Sequence, residues 1–288
     1  MLAYQHAYHA GNFADVHKHL TLFCVLQHIL RKETPVTYVD THAGRGRYPL
    51  AGAEAQKLKE HEQGVVPLWQ ARATLSRGNP LLNTWFDALQ RAQAGDGRQL
   101  THYPGSPWWL ADGLRSHDRL SLFELHPGEH QHLETQALPS NARRIHGDGL
   151  AGLRGLLPVA TPRLCVLIDP SYERKAEYSE VAEALAFVAR KARHATLLVW
   201  YPLLPAGRHQ VLLDEVKRAG VRKLWRSELQ RHARGIDEHG MYGSGMLLLN
   251  PPWGLDKSLD AALQALLPCF GKQLGKQAVH RSDWWVEE

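Results

Sequence analysis

The chain is poor in sulfur and in long apolar runs: three cysteines and three methionines occur in 288 residues. Cys24, Cys165 and Cys269 are far apart and odd in number, and the first two lie in apolar stretches, Leu22-Phe23-Cys24-Val25 and Leu164-Cys165-Val166. That argues against a disulfide framework and predicts buried thiols in a reducing compartment. No apolar run approaches the roughly 20 residues needed to cross a bilayer. Met1-Leu2-Ala3-Tyr4-Gln5-His6 lacks the charged start and apolar run of a secretory signal, so a cytoplasmic protein without a membrane partner is expected. There is no internal repeat, no low-complexity linker and no G-x-G-x-x-G dinucleotide fingerprint.

What is present is a globular composition, 44% hydrophobic, with a net charge of +5 and 18 histidines. The basic balance favours a polyanionic partner, though weakly. Short apolar runs alternate with helical stretches. Val36–Asp40, Arg119–Glu124, Arg143–His146, Leu164–Asp169, Ala195–Tyr201 and Gly245–Asn250 read as strands. Several are apolar on both faces, and Ser179–Lys191 reads as an amphipathic helix between two of them. This predicts an α/β, Rossmann-like fold with a mostly parallel sheet covered on both sides. Residues 51–100 break the rhythm: Ala53–Gln63 and Pro80–Ala94 look helical, and Leu82, Trp85, Phe86 and Leu89 share one stripe. The spacing predicts a helical insertion at the sheet edge, leaving 1–50 and 101–288 as the core. Residues 1–20, crowded with aromatic and hydrogen-bonding side chains, read as a segment preceding that core.

The sharpest chemical signal is Asp169-Pro170-Ser171-Tyr172 at the end of an apolar strand. Ligands of doubly wound sheets bind outside the carboxyl ends of the strands. There a carboxylate and the carbonyl of a stiff proline can take both hydrogens of an amine, while Tyr172 offers a face to a planar base. Such an arrangement frees the lone pair of a base amine for methylation. Asp40-Thr41-His42-Ala43-Gly44-Arg45-Gly46 follows the first strand, with glycines that allow close backbone approach. Glu124 ends the second strand, where a carboxylate can hold ribose hydroxyls, and Gly147-Asp148-Gly149 follows the third, where Asp148 can accept from an adenine amine. Each is commonplace alone. In this order, at successive strand ends, they form the layout of class I methyltransferases. Arg45, Arg47, Arg143, Arg144, Arg174 and Lys175 fall near predicted strand ends, where phosphates would pass. His6, His9, His17 and His19 suggest a rival, a metal-dependent hydrolase. They lack a carboxylate in register and an outer partner, so no metal site is expected. A non-catalytic RNA-binding module would not need Asp169-Pro170-x-Tyr172.

The chain also resembles the bacterial RlmJ family, which methylates the exocyclic amine of one adenine in 23S ribosomal RNA. The resemblance rests on Tyr4-x-His6-x-x-His9-Ala10-Gly11-Asn12-x-x-Asp15-Val16-x-Lys18-His19, on the Asp40–Gly44 turn, on the insertion after it and on Tyr103-Pro104-Gly105-Ser106-Pro107. It implies S-adenosylmethionine as cofactor, held by His19, His42, Gly44, Ser106, Glu124, Asp148 and Gly149, with Lys18 beside them and Asp169 adjoining the methyl donor. It implies that Asp169, with Pro170 and Tyr172, serves the amine and that Tyr4 contacts the RNA; a monomer is expected. The family's usual tetrapeptide is Asp-Pro-Pro-Tyr; Ser171 departs from it. The tetrapeptide alone leaves DNA adenine and protein amides open as substrates.

Overall fold

The computed structural model describes residues 5–93, 97–232, 240–270 and 278–287. It opens with helix α1 (Phe13–Ile29), capped by Asn12, whose side chain accepts from the Asp15 N–H. Next come β1 (Val36–Asp40), β2 (Arg47–Pro49), α2 (Ala53–Leu58), α3 (Val65–Gly78), α4 (Pro80–Arg91), β3 (His102–Pro104) and α5 (Ser106–Asp112). Strands and helices then alternate: β4 (Arg119–Glu124), α6 (Pro127–Glu134), β5 (Ala142–His146), α7 (Gly149–Leu156), β6 (Arg163–Ile168), α8 (Glu177–Lys191), β7 (Thr196–Leu203) and α9 (His209–Arg218). The last described elements are β8 (Leu224–Gln230), β9 (Gly243–Leu249), α10 (Leu255–Phe270) and β10 (Val279–Val286).

Eight strands form one sheet in the order β10-β8-β9-β7-β6-β1-β4-β5. From β5 to β7 the neighbours run parallel, whereas β9 lies antiparallel between β7 and β8, and β10 is an antiparallel edge. The chain winds outward from β1 through β4 to β5, then returns to β6 on the other side of β1. The switch point, where such folds bind ligands, is therefore the β1–β6 junction. The strands are apolar on both faces because both faces are covered. Along β6, Cys165 and Leu167 pack with α1, α10 and the insertion, while Leu164, Val166 and Ile168 pack with α8 and α9. This is a Rossmann-like arrangement, as expected from the sequence.

Two expectations need correction. Residues 13–20 do not precede the core: they are the first half of α1, every residue of which from Phe13 to Leu26 is buried. The insertion does not sit at the sheet edge either. It is bracketed by the antiparallel pair β2 and β3, and α3 and α4 pack on α10 and α1 over one face of the sheet. α4 shows why: Leu82, Trp85, Phe86 and Leu89 are all buried, Asn79 accepts from the Leu82 N–H, and Pro80 starts the first turn. Among the described residues no helix is long and apolar enough to cross a membrane.

Candidate active site

A cleft of about 690 Å³ opens at the C-terminal ends of the parallel strands, a size suited to a nucleoside-sized ligand. Lys18, His19, His42, Gly44, Ser106, Glu124, Asp148, Gly149, Asp169 and Pro170 all line it. Parallel register brings them together. Asp40 pairs beside Leu167, so the turn after β1 and the Asp169 turn after β6 emerge side by side. Glu124 ends β4 on the other flank.

The glycines serve close approach. Gly44 has φ 61°, and its N–H donates to Glu124 Oε2 at 2.7 Å. A Cβ on Gly149 would drive into the Thr41 carbonyl, so only glycine lets the turns after β1 and β5 touch. Glu124 Oε1 accepts from the His126 N–H at 2.7 Å. Each of its oxygens keeps a lone pair for a ribose hydroxyl. Burial raises its pKa, against the pull of those two N–H groups. Asp148 Oδ1 caps α7 by accepting from the Leu150 and Ala151 N–H groups. Its second oxygen takes no hydrogen bond among the described residues and is available to an adenine amine.

The floor of the cleft comes from α1. Lys18 Nζ lies 2.6 Å from Asp169 Oδ2 and 2.9 Å from Asp15 Oδ1. Asp15 Oδ2 in turn meets His6 Nε2 at 2.8 Å and accepts from the Gly11 N–H at 2.9 Å. Burial alone would lower the pKa of Lys18, but Asp15 and Asp169 more than offset it and hold the ammonium charged. Burial raises the carboxyl of Asp169, with Lys18 restraining the rise. The result is a carboxylate that is a stronger proton acceptor than an exposed one. His19 is buried; its Nδ1 meets the Tyr103 hydroxyl at 2.9 Å, whereas its Nε2 has no partner among the described residues. His42 is pushed down to about 4 by burial, against Asp148, so it is neutral at pH 7.

Some site residues were not legible as such. Asp40 is fully buried at the end of β1, with Oδ1 accepting from the His42 N–H and Oδ2 without a hydrogen-bond partner among the described residues. Burial pushes its carboxyl up to about 7, against the Ser106 hydroxyl and the His42 N–H. Glu60 brings the insertion to the cleft: its Oε2 accepts from Asn12 Nδ2 at 2.9 Å and lies 3.1 Å from His9 Nδ1. Trp200 of β7 also lines the wall. The signal for Asp15 was its place in the N-terminal pattern; for Trp200 there was none.

Other expected residues are placed differently from the sequence reading. Tyr172 does not line the cleft. Its ring stacks on Tyr178 at 4.4 Å and its hydroxyl donates to the Trp200 carbonyl at 2.7 Å. Tyr4 lies outside the described residues. The four N-terminal histidines diverge: His6 meets Asp15, His9 meets Glu60, His17 meets Ser244 and Ser227, and His19 meets Tyr103. Of the candidate phosphate contacts, Arg45 is buried against Glu129 and Glu54 and Arg144 donates to the Leu133 and Gln136 carbonyls, whereas Arg174 lines the cleft while pairing with Glu180.

The cleft fits a cationic nucleoside. Asp15, Glu124, Asp148 and Asp169 outweigh Lys18, and the orphaned His19 Nε2 awaits a polar partner. The family described as "Ribosomal RNA large subunit methyltransferase D, RlmJ" matches residues 33–286. The chain belongs to the RlmJ family. It is 32% identical over 264 residues to "Ribosomal RNA large subunit methyltransferase J" of Escherichia coli K12, covering 91% of this chain and 92% of that one. It is 33% identical over 288 residues to the protein of the same name from Haemophilus influenzae, covering 100% and 98%. A crystal structure of a Legionella pneumophila protein, 33% identical, superimposes with a TM-score of 0.85 over 96% of this chain and 98% of that one. As an RlmJ-family member the chain is an S-adenosylmethionine-dependent methyltransferase acting on ribosomal RNA.

Proposed function

We propose that the chain methylates the exocyclic N6 amine of one adenine in 23S ribosomal RNA, in the cytoplasm and as a monomer. S-adenosylmethionine, when bound, supplies a methyl group on a positively charged sulfur that is already a good leaving group. Glu124 would take its ribose hydroxyls and Asp148 its adenine amine, while His19, His42, Gly44, Ser106 and Gly149 would shape its bed, with Lys18 at its side. Direct in-line transfer asks the protein only for orientation and acceptors. Asp169 accepts one hydrogen of the target amine and the Pro170 carbonyl the other, which frees the nitrogen lone pair. Asp169, made more basic by burial, then receives the surplus proton. The target base must leave its stack to reach this point, at a cost of a few kcal/mol. Trp200 and Tyr48 already line the cleft; stacking on Tyr172 requires the 169–172 turn to shift.

The observation that carries the reading is the Asp169 carboxylate, held by Lys18 at the switch point of the sheet inside an acidic cleft. Mapping N6-methyladenosine in ribosomal RNA from cells with and without the protein tests it. One 23S adenine should lose its methyl group; an unchanged map, or a lost methyl on another base or on DNA, refutes it. Asp169→Ala should abolish transfer while donor binding stays measurable by calorimetry, and retained turnover removes Asp169 from the mechanism. Tyr4→Ala should impair RNA methylation more than donor affinity.

A further inference from the structure

Ser171 puts a hydroxyl in the turn between Pro170 and Tyr172. Ser171 lines the cleft next to Asp169 and Pro170, and it is half-buried. Its hydroxyl makes no hydrogen bond among the described residues. The turn that carries it is anchored at both ends. Asp169 is tied to Lys18 at 2.6 Å. Tyr172 is held in the left-handed region, φ 54°, with its ring on Tyr178 and its hydroxyl on the Trp200 carbonyl. That backbone region is uncommon for an aromatic residue and is kept only where the surroundings enforce it. Ser171 is therefore presented to the cleft by a fixed turn, not carried on a loose loop.

We infer that Ser171 is a specificity-determining residue whose hydroxyl donates to the N1 ring nitrogen of the target adenine; this rests on the adenine reading above. Asp169 and the Pro170 carbonyl take the two amine hydrogens. The next group along the same edge of adenine is N1, an acceptor, which those two acceptors cannot satisfy. A serine hydroxyl one residue on from Pro170 can donate to it. A proline there cannot, having neither a hydroxyl nor an N–H. The contact reads a second atom of the base edge and adds to the hold on the flipped base.

The test uses two synthetic RNA hairpins around the mapped adenine, one carrying adenosine and the other 1-deazaadenosine, in which N1 is a C–H. With wild type, kcat/KM should fall about 3- to 10-fold on the deaza RNA, the size of one neutral hydrogen bond. Ser171→Ala and Ser171→Pro should lose a similar factor on adenosine and show no further loss on the deaza RNA. Ser171→Thr, which keeps the hydroxyl, should restore the discrimination, and donor affinity by calorimetry should stay constant throughout. Equal discrimination by wild type and Ser171→Ala overturns the inference while leaving the methyltransferase reading intact. No methylation of the adenosine hairpin by wild type overturns both.

Discussion

Asp40→Asn isolates a buried carboxyl whose charge changes near neutrality. Asp40 is fully buried beneath the cleft, and burial pushes its carboxyl from 3.8 up to about 7. Because the folded pKa lies above the unfolded one, the group's contribution to stability is fully present below 3.8 and is lost as pH rises through about 7. Each unit of difference is worth about 1.4 kcal/mol. From pH 5.5 to full ionisation, just above 7, about 1.5 units remain, so wild type loses about 2 kcal/mol through this residue over that interval. Asparagine keeps an oxygen for the His42 N–H and carries no proton to lose. Titrating groups remote from Asp40 act equally in both proteins and cancel in the difference. Thermal unfolding of both at pH 5.5 and 8.5 should therefore show the Tm of Asp40→Asn gaining on wild type by about 4–8 °C as pH rises, at about 2–4 °C per kcal/mol. A gap that stays flat, or moves the other way, refutes a near-neutral titration of Asp40.

Lys18→Met leaves Asp15 and Asp169 buried without their shared cation; it should cost about 3–5 kcal/mol in urea unfolding and move the pH profile of any residual methyl transfer upward, since Asp169 loses the charge that restrains its pKa. A loss below about 1 kcal/mol removes the ion triad from the stability argument. Gly149→Ala pushes a methyl group into the Thr41 carbonyl, so donor affinity by calorimetry should fall at least about tenfold together with Tm, and no change in either refutes the close approach of those turns. Tyr172→Phe keeps the stack on Tyr178 but leaves the Trp200 carbonyl unpaired, a loss of about 1–3 kcal/mol in stability with methyl transfer kept within a few-fold. A much larger loss of transfer in a folded variant places the hydroxyl against the substrate instead.

The parallel half of the sheet was readable because its physics is local. Val36–Asp40 and Arg119–Glu124 match their strands residue for residue, and the chemical residues at their ends follow from the rule that such sheets bind ligands at carboxyl ends. The antiparallel half was less so. β8 breaks its apolar residues with the polar run Arg226, Ser227 and Glu228, and β10 carries Arg281, Ser282 and Asp283, so neither shows a continuous apolar run. α3 escaped for a related reason: of its residues only Val65, Leu68 and Trp69 are buried, too few to mark a stripe through 14 positions.

α1 was hidden by the opposite circumstance. It is buried on every side, so it has no polar face to alternate with an apolar one, and its interior includes His17, Lys18 and His19. Such residues are rarely buried without partners, so by composition the segment reads as surface. Their partners lie far along the chain: His17 meets Ser227 and Ser244, Lys18 meets Asp169, and His19 meets Tyr103. Pairing across 84 to 227 residues cannot be seen in a local window. Yet that arrangement makes one helix serve two ends. Three consecutive polar residues point in different directions around α1, so His17 binds the sheet's antiparallel half while Lys18 and His19 line the cleft. A helix fixed at His17 by buried hydroxyls leaves the Lys18 ammonium little room to move, and Asp169 takes its orientation from that ammonium. The geometry of the Asp169 carboxylate is thus set from the core side of α1, through the buried contacts of His17.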